Sequence, residues 1–300
     1  MAYLQHGFQP LPIIDQGQSP QNTRNERYGA GDINNLGHWA GFNLVSIQQQ
    51  FGAELAAAQI ADEPVQPSPP RPINSENAVR SRLDTYLTNR VIRALRCGFT
   101  HLSSTQQLAG LTILKYDVGS LANTPENYVP DLAFFDPNLP VRARPNRVPG
   151  DIKPSYKWSF DQRNNPNPSI RMEFKQVLSQ VNFYMKQHHA RYSFILTDRE
   201  LVAIRRLDRN GNLELSASIP WTTQGTASQP RLTVLLGLWY LGMLAANDQG
   251  WFLQWLLAFI RGTFWKGDPI NSHAPFPRCS PRRPSCLSSV SWRFSGGLLF

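Results

Sequence analysis

Apolar residues recur at three- and four-residue steps from Asn74 to Gly98. Val79, Leu83, Tyr86, Leu87, Val91, Ala94 and Leu95 therefore share one face of a predicted helix. Asn74 or Ser75 can cap its start, Glu76 suits its first turn and Gly98 can end it. Its outer face carries Arg80, Arg82, Arg90, Arg93 and Arg96, either solvated or turned toward phosphates. Short apolar or alternating runs then predict strands at 111–117, 128–135 and 150–158, with a long basic loop between the last two. A second helix starts near Ser169, with Phe174, Val177, Leu178, Val181 and Met185 as its buried stripe. Three antiparallel strands follow in 191–219, the last two joined at Asn210-Gly211, a strong hairpin signal. The run from Leu232 to Ala246 is apolar throughout, and 251–260 nearly so; both fall short of the roughly 20 residues a bilayer span needs. The first is read as a buried helix. The order of elements predicts an α/β fold, a mixed central sheet flanked by helices.

The front of the chain has a different texture. Residues 1–72 are rich in Gln, Asn and Pro and end in closely spaced prolines that oppose both helix and sheet. They are expected to form a largely disordered extension, with one short helix between Trp39 and Ile60 whose role the pattern does not reveal. The folded domain is predicted over 73–262, and the Ser-, Pro- and Arg-rich 263–300 as a largely disordered tail. A content of 24 prolines and 20 glycines agrees with part of the length lying outside a packed core.

Charge sharpens the picture when divided by segment. Residues 1–72 sum to −3, residues 73–270 to +8 and residues 271–300 to +4. The middle can thus present a basic surface to a polyanion, which makes nucleic acid a plausible partner. Three cysteines cannot build a disulfide framework, and the first residues lack the basic start and apolar run of a secretory signal. An intracellular, non-membrane protein is expected, with nucleus or cytoplasm and the oligomeric state left open.

Two acidic positions have neighbours that constrain them. Pro130 holds Val129 extended and removes a ladder donor, so Asp131 sits at a sheet irregularity. Asp151 and Lys153 emerge on one face because strand side chains alternate. If these strands are neighbours, two anions and an ammonium converge, which suits a hard divalent ion taking one or two carboxylates plus waters. Lys153 would then orient the attacking water or stabilise a developing pentavalent phosphate.

With these residues in their order of elements, the chain resembles the PD-(D/E)xK nuclease superfamily, restriction-endonuclease-like in fold, and within it fungal members. Pro130-Asp131 followed by Asp151-Ile152-Lys153 carries the likeness, over roughly 74–246. The resemblance implies that Asp131, Asp151 and the Ile152 carbonyl hold Mg²⁺ or Mn²⁺, with Lys153 beside the water. Glu76 would assist from the first helix. Gln180 and Tyr184, four apart on one helix face, look like the Gln-xxx-Tyr motif of the RecB-like branch. Gln180 would bind a phosphate or a catalytic carboxylate, Tyr184 would position the strand, and Gln176 extends the stripe. The expected activity is metal-dependent hydrolysis of nucleic acid, DNA first. The alternatives are an inactive nuclease-fold protein that binds nucleic acid or a protein partner, and a scaffold recruiting partners through its front segment.

Other constellations offer less. His188 and His189 point to different helix faces and are read as solvated or capping, and Asp208 begins a turn rather than a calcium loop. His273, Cys279 and Cys286 lack the paired spacing of structural zinc.

Overall fold

The computed structural model describes residues 1–14, 21–57, 59–61 and 70–253. The expected 263–300 tail, the boundary at 262 and most of the 251–260 run lie outside them.

Ser75 caps the first predicted helix, accepting the Ala78 N–H at 3.3 Å. The helical path runs as α2 (Glu76–Leu83), a π turn (Asp84–Thr88) and α3 (Asn89–Ser104). Among its buried residues, Val79, Leu83, Leu87, Val91, Leu95 and Phe99 advance in steps of four, with Arg90, Ala94 and Leu102 buried beside them. Four residues outrun the 3.6 of an α-helical turn, so such a stripe would drift around the cylinder; the wider π turn offsets that drift. Gly98 does not end the helix as expected, because Phe99 and Leu102 continue the stripe. Its bare Cα instead faces the Trp239 ring. The outer arginines are not simply solvated either: Arg90 is buried with its guanidinium over Tyr3, and Arg80 is paired with Asp131.

The strands are β1 (Asn35–His38), β2 (Lys115–Val118), β3 (Leu132–Phe135), β4 (Gly150–Ile152), β5 (Tyr192–Leu196), β6 (Glu200–Arg206), β7 (Asn212–Leu215) and β8 (Ile219–Pro220). They form one mixed sheet ordered β1-β7-β6-β5-β4-β3-β2, with β8 also paired to β6. Strands β2, β3 and β4 meander antiparallel, whereas β4 and β5 run parallel and are connected through α4 (Pro168–Gln187). The three strands expected after α4 are antiparallel, and Gly211 turns the β6–β7 hairpin at φ +77°. One sheet face packs on α2, α3 and α5 (Val234–Ala246); the other packs Trp158, Phe174, Val177, Leu178 and Val181 from α4 and its approach. Helix α5 is buried along its length, and no helix among the described residues is long and apolar enough to cross a membrane.

The front segment departs from its expected separation. Tyr3, Leu4, Phe8, Leu11, Trp39, Phe42, Ile47 and Leu55 enter the core shared with α3 and α5. β1 adds a parallel strand beside β7, and α1 (Leu44–Ala57) falls within the predicted helical stretch. The Trp39 indole stacks on Tyr192 with centroids 5.6 Å apart, and Phe8 meets Trp221 at 4.6 Å. These side chains fill hollows singly, without a repeat that would announce burial. His188 departs too: it is buried, its Nδ1 accepts the Asn146 N–H at 3.3 Å, and desolvation holds its pKa down to about 4. In the basic loop, Arg144 binds carbonyls of Leu121, Pro137 and Leu139, while Arg147 binds Ala245 and Asp248. Both arginines are structural.

Candidate active site

Strand β4 is only three residues long, but both flanks fix it. Antiparallel pairing of Leu132 with Gly150 brings Asp131, one residue before β3, opposite Asp151. Parallel pairing sets Asp151 beside Ile195, and Lys153 prolongs the ladder by donating its N–H to the Leu196 carbonyl at 3.1 Å. Ile152 joins the core on the α3 side, so alternation turns Asp151 and Lys153 to the opposite face, as expected. Beyond Pro154 the chain is locked by Asp198, a buried carboxylate that accepts the Ser155 N–H at 2.6 Å and hydroxyl at 2.7 Å.

The side chains converge. The Lys153 ammonium lies 2.9 Å from Asp151 Oδ2 and 3.7 Å from Glu76 Oε1, and donates to the Ile152 carbonyl at 3.3 Å. Asp131 accepts the Ile152 N–H on Oδ2 at 2.8 Å and the Arg80 guanidinium on Oδ1. Glu76 also lies 4.0 Å from the Lys157 ammonium. Asp131, Asp151, Lys153, Glu76 and the Ile152 carbonyl therefore form one cluster. Its three carboxylates face three cations: Arg80, Lys153 and Lys157.

Burial dominates the electrostatics. Desolvation pushes the Asp151 carboxyl up to about 7 against the pull of Lys153, and Asp131 and Glu76 push the same way. Asp131 is raised by burial despite Lys153, Arg80 and the Ile152 N–H. For Lys153, burial favours the neutral amine, but Asp151, Glu76 and Asp131 outweigh it and hold the pKa above its ordinary value. The Lys153 ammonium, 2.9 Å from Asp151 Oδ2, is the partner that offsets the burial of this carboxylate.

Gln180 and Tyr184 lie along one face of α4, and the Gln180 amide donates to the Tyr184 hydroxyl at 3.0 Å. The Tyr184 phenol is raised by burial and then by Asp151, which puts it within electrostatic reach of the cluster. Gln176 is engaged elsewhere, donating to the Thr23 carbonyl at 3.0 Å. The same front segment delivers Tyr28, whose phenol is raised by burial and by Asp151 and whose ring lies 5.5 Å from Phe183. Sequence reasoning missed Tyr28, because nothing periodic marks 21–28. Arg80 was legible only as one of several outer arginines, although its place four residues after Glu76 on one helix face is the signal that could have singled it out.

Gly119 sets the position of Asp131. Its N–H donates to the Asp131 carbonyl at 3.0 Å, and a Cβ there would collide with the Pro130 carbonyl. Gly119→Ala should therefore lower stability by about 1–3 kcal/mol, read from the urea midpoint, because backbone rather than a flexible side chain must yield. An unchanged midpoint would show that the approach is not needed.

No family model, curated protein or solved structure matches the chain. Among the described residues, no group of three or more His, Cys, Asp and Glu side chains is arranged to enclose a metal ion. The cluster's donors nevertheless fit a hard ion in kind: the Asp131 and Asp151 carboxylates and the Ile152 backbone carbonyl.

Proposed function

We propose that this chain is a metal-dependent nuclease of the PD-(D/E)xK kind, acting on nucleic acid and on DNA first. The observation that carries the reading is the gathering of Asp131, Asp151, the Ile152 carbonyl and Lys153 at one point of the sheet. The order helix, three-strand meander, helix, parallel strand supports it.

Asp131, Asp151 and the Ile152 carbonyl would hold Mg²⁺ or Mn²⁺. When bound, such an ion neutralises phosphate charge and lowers the pKa of a water. The chain's own groups do the rest. Lys153, kept protonated by its anionic neighbours, presents an N–H to the attacking water or to the charge that develops on the phosphorus oxygens. Glu76 steadies that ammonium from the start of α2. The paired Gln180 and Tyr184 offer polar contacts to the substrate backbone from α4.

The test is incubation of the full chain with linear, circular and single-stranded substrates in Mg²⁺, Mn²⁺ or EDTA. Cleavage with either ion, none in EDTA and none by Asp151→Asn is the expected result. Intact substrates under every ion condition would remove the hydrolase reading.

One observation favours a second reading, an inactive fold that binds nucleic acid. The cluster is already charge-balanced, with Arg80 on Asp131 and Lys153 on Asp151. Its signature would be retention on DNA that falls steeply with salt and is never followed by cleavage.

A further inference from the structure

Arg80 joins the cluster differently from the other cations. Lys153 is buried, whereas the Arg80 side chain is 44% exposed while bonding a carboxylate that is only 11% exposed. Asp131 has both oxygens engaged, one by Arg80 and one by the Ile152 N–H. A divalent ion shared with Asp151 must therefore compete with the guanidinium for Asp131. It also brings two positive charges into a cluster that already holds Lys153 and Lys157, so Arg80 is disfavoured where it stands. Glu76, four residues earlier on the same helix, cannot readily replace Asp131 as its partner, because it faces both lysines.

We propose that Arg80 exchanges partners. In the ion-free site it neutralises Asp131; when a divalent ion takes that carboxylate, the partly exposed guanidinium is released toward solvent and binds a backbone phosphate of the nucleic acid. A planar guanidinium matches two phosphate oxygens at once, which an ammonium does not. The proposal rests on the nuclease reading and deepens it: ion and phosphodiester become linked ligands, each raising the affinity for the other. An exposed arginine would thereby keep the site closed to ions until substrate can share the charge.

The experiment is a Mn²⁺ titration of the full chain followed by electron paramagnetic resonance of the free ion, with and without a hydrolysis-resistant phosphorothioate DNA duplex. Wild type is expected to bind Mn²⁺ about tenfold more tightly when the duplex is present. Arg80→Gln should bind the ion alone about tenfold more tightly than wild type and gain nothing further from the duplex. Arg80→Lys, which preserves the charge and guards against a folding defect in the neutral variant, should stay near wild type with the ion alone yet lose most of the gain from DNA. Ion-only affinity in Arg80→Gln equal to wild type, or a DNA-dependent gain undiminished in either variant, overturns the exchange while leaving a metal site standing. Failure of wild type and both variants to bind Mn²⁺ under any condition instead overturns the nuclease reading, and the exchange with it.

Discussion

A chain that begins at Ile73 is expected to lose its cooperative unfolding transition, although its sequence pattern suggests that it is trimmed to the domain. Truncation removes Tyr3, Leu4, Phe8, Leu11, Ile33, Trp39, Phe42, Ile47 and Leu55, all buried in the full chain. At about 1.5–3 kcal/mol for each fully buried large apolar side chain, the loss rivals the 5–15 kcal/mol that typically holds a whole domain together. The deletion also strips groups that the remainder needs. Leu4 supplies the carbonyl that binds the Thr233 hydroxyl at the start of α5, and Phe42 packs 5.2 Å from the Tyr240 ring. β7 would lose its neighbour β1 and present an unpaired edge, a template for aggregation. Calorimetry of the truncated and full chains decides the matter. A truncated protein that melts cooperatively within a few degrees of the full chain would mean that the front segment decorates the fold and does not build it.

What the sequence disclosed follows the range of the interactions concerned. The α2–α3 stripe, the β6–β7 turn at Asn210-Gly211 and the all-apolar α5 are local patterns, each written within about twenty residues of chain. Asp151 and Lys153 were legible for the same reason, since a period of two puts them on one face. Asp131 was legible through Pro130 next to it. Partners far apart in the chain left no such trace: Arg80 with Asp131, Ser155 with Asp198, Asn146 with His188 and Tyr28 with the cluster are each fixed only by how the sheet brings strands together. The front segment was misjudged on composition. Polar residues there surround isolated apolar ones, so its average resembles a linker while its individual side chains fill the core.

Lys153→Met should cost about 3–5 kcal/mol at alkaline pH, because there it strands Asp151 as an unpaired charge in the interior. Methionine preserves most of the stem's volume, so packing contributes little to the loss. The dependence on pH identifies the cause. Burial already pushes the Asp151 carboxyl up to about 7, above the roughly 3.9 of an unfolded aspartate. A carboxyl whose folded pKa is raised costs nothing below its unfolded value; its penalty grows from there up to the folded value and is constant above it, so raising the folded pKa further adds cost only at higher pH. Without the ammonium that pKa rises further, so the cost of Lys153→Met should be small near pH 5, where Asp151 keeps its proton, and reach its full size above neutrality. In wild type, Lys153 contributes in the opposite sense: its pKa is raised, so its stabilisation persists through neutral pH and is lost only under strongly alkaline conditions. Urea denaturation at pH 5 and pH 8 measures the difference. The double variant Asp151→Asn with Lys153→Met removes both charges and should recover most of the stability, since replacing a buried pair costs far less than breaking it. It should recover no cleavage, which separates the structural cost of the lysine from its proposed part in the reaction. A Lys153→Met penalty equal at the two pH values, or a double variant no more stable than the single one, would mean that Asp151 does not depend on this ammonium.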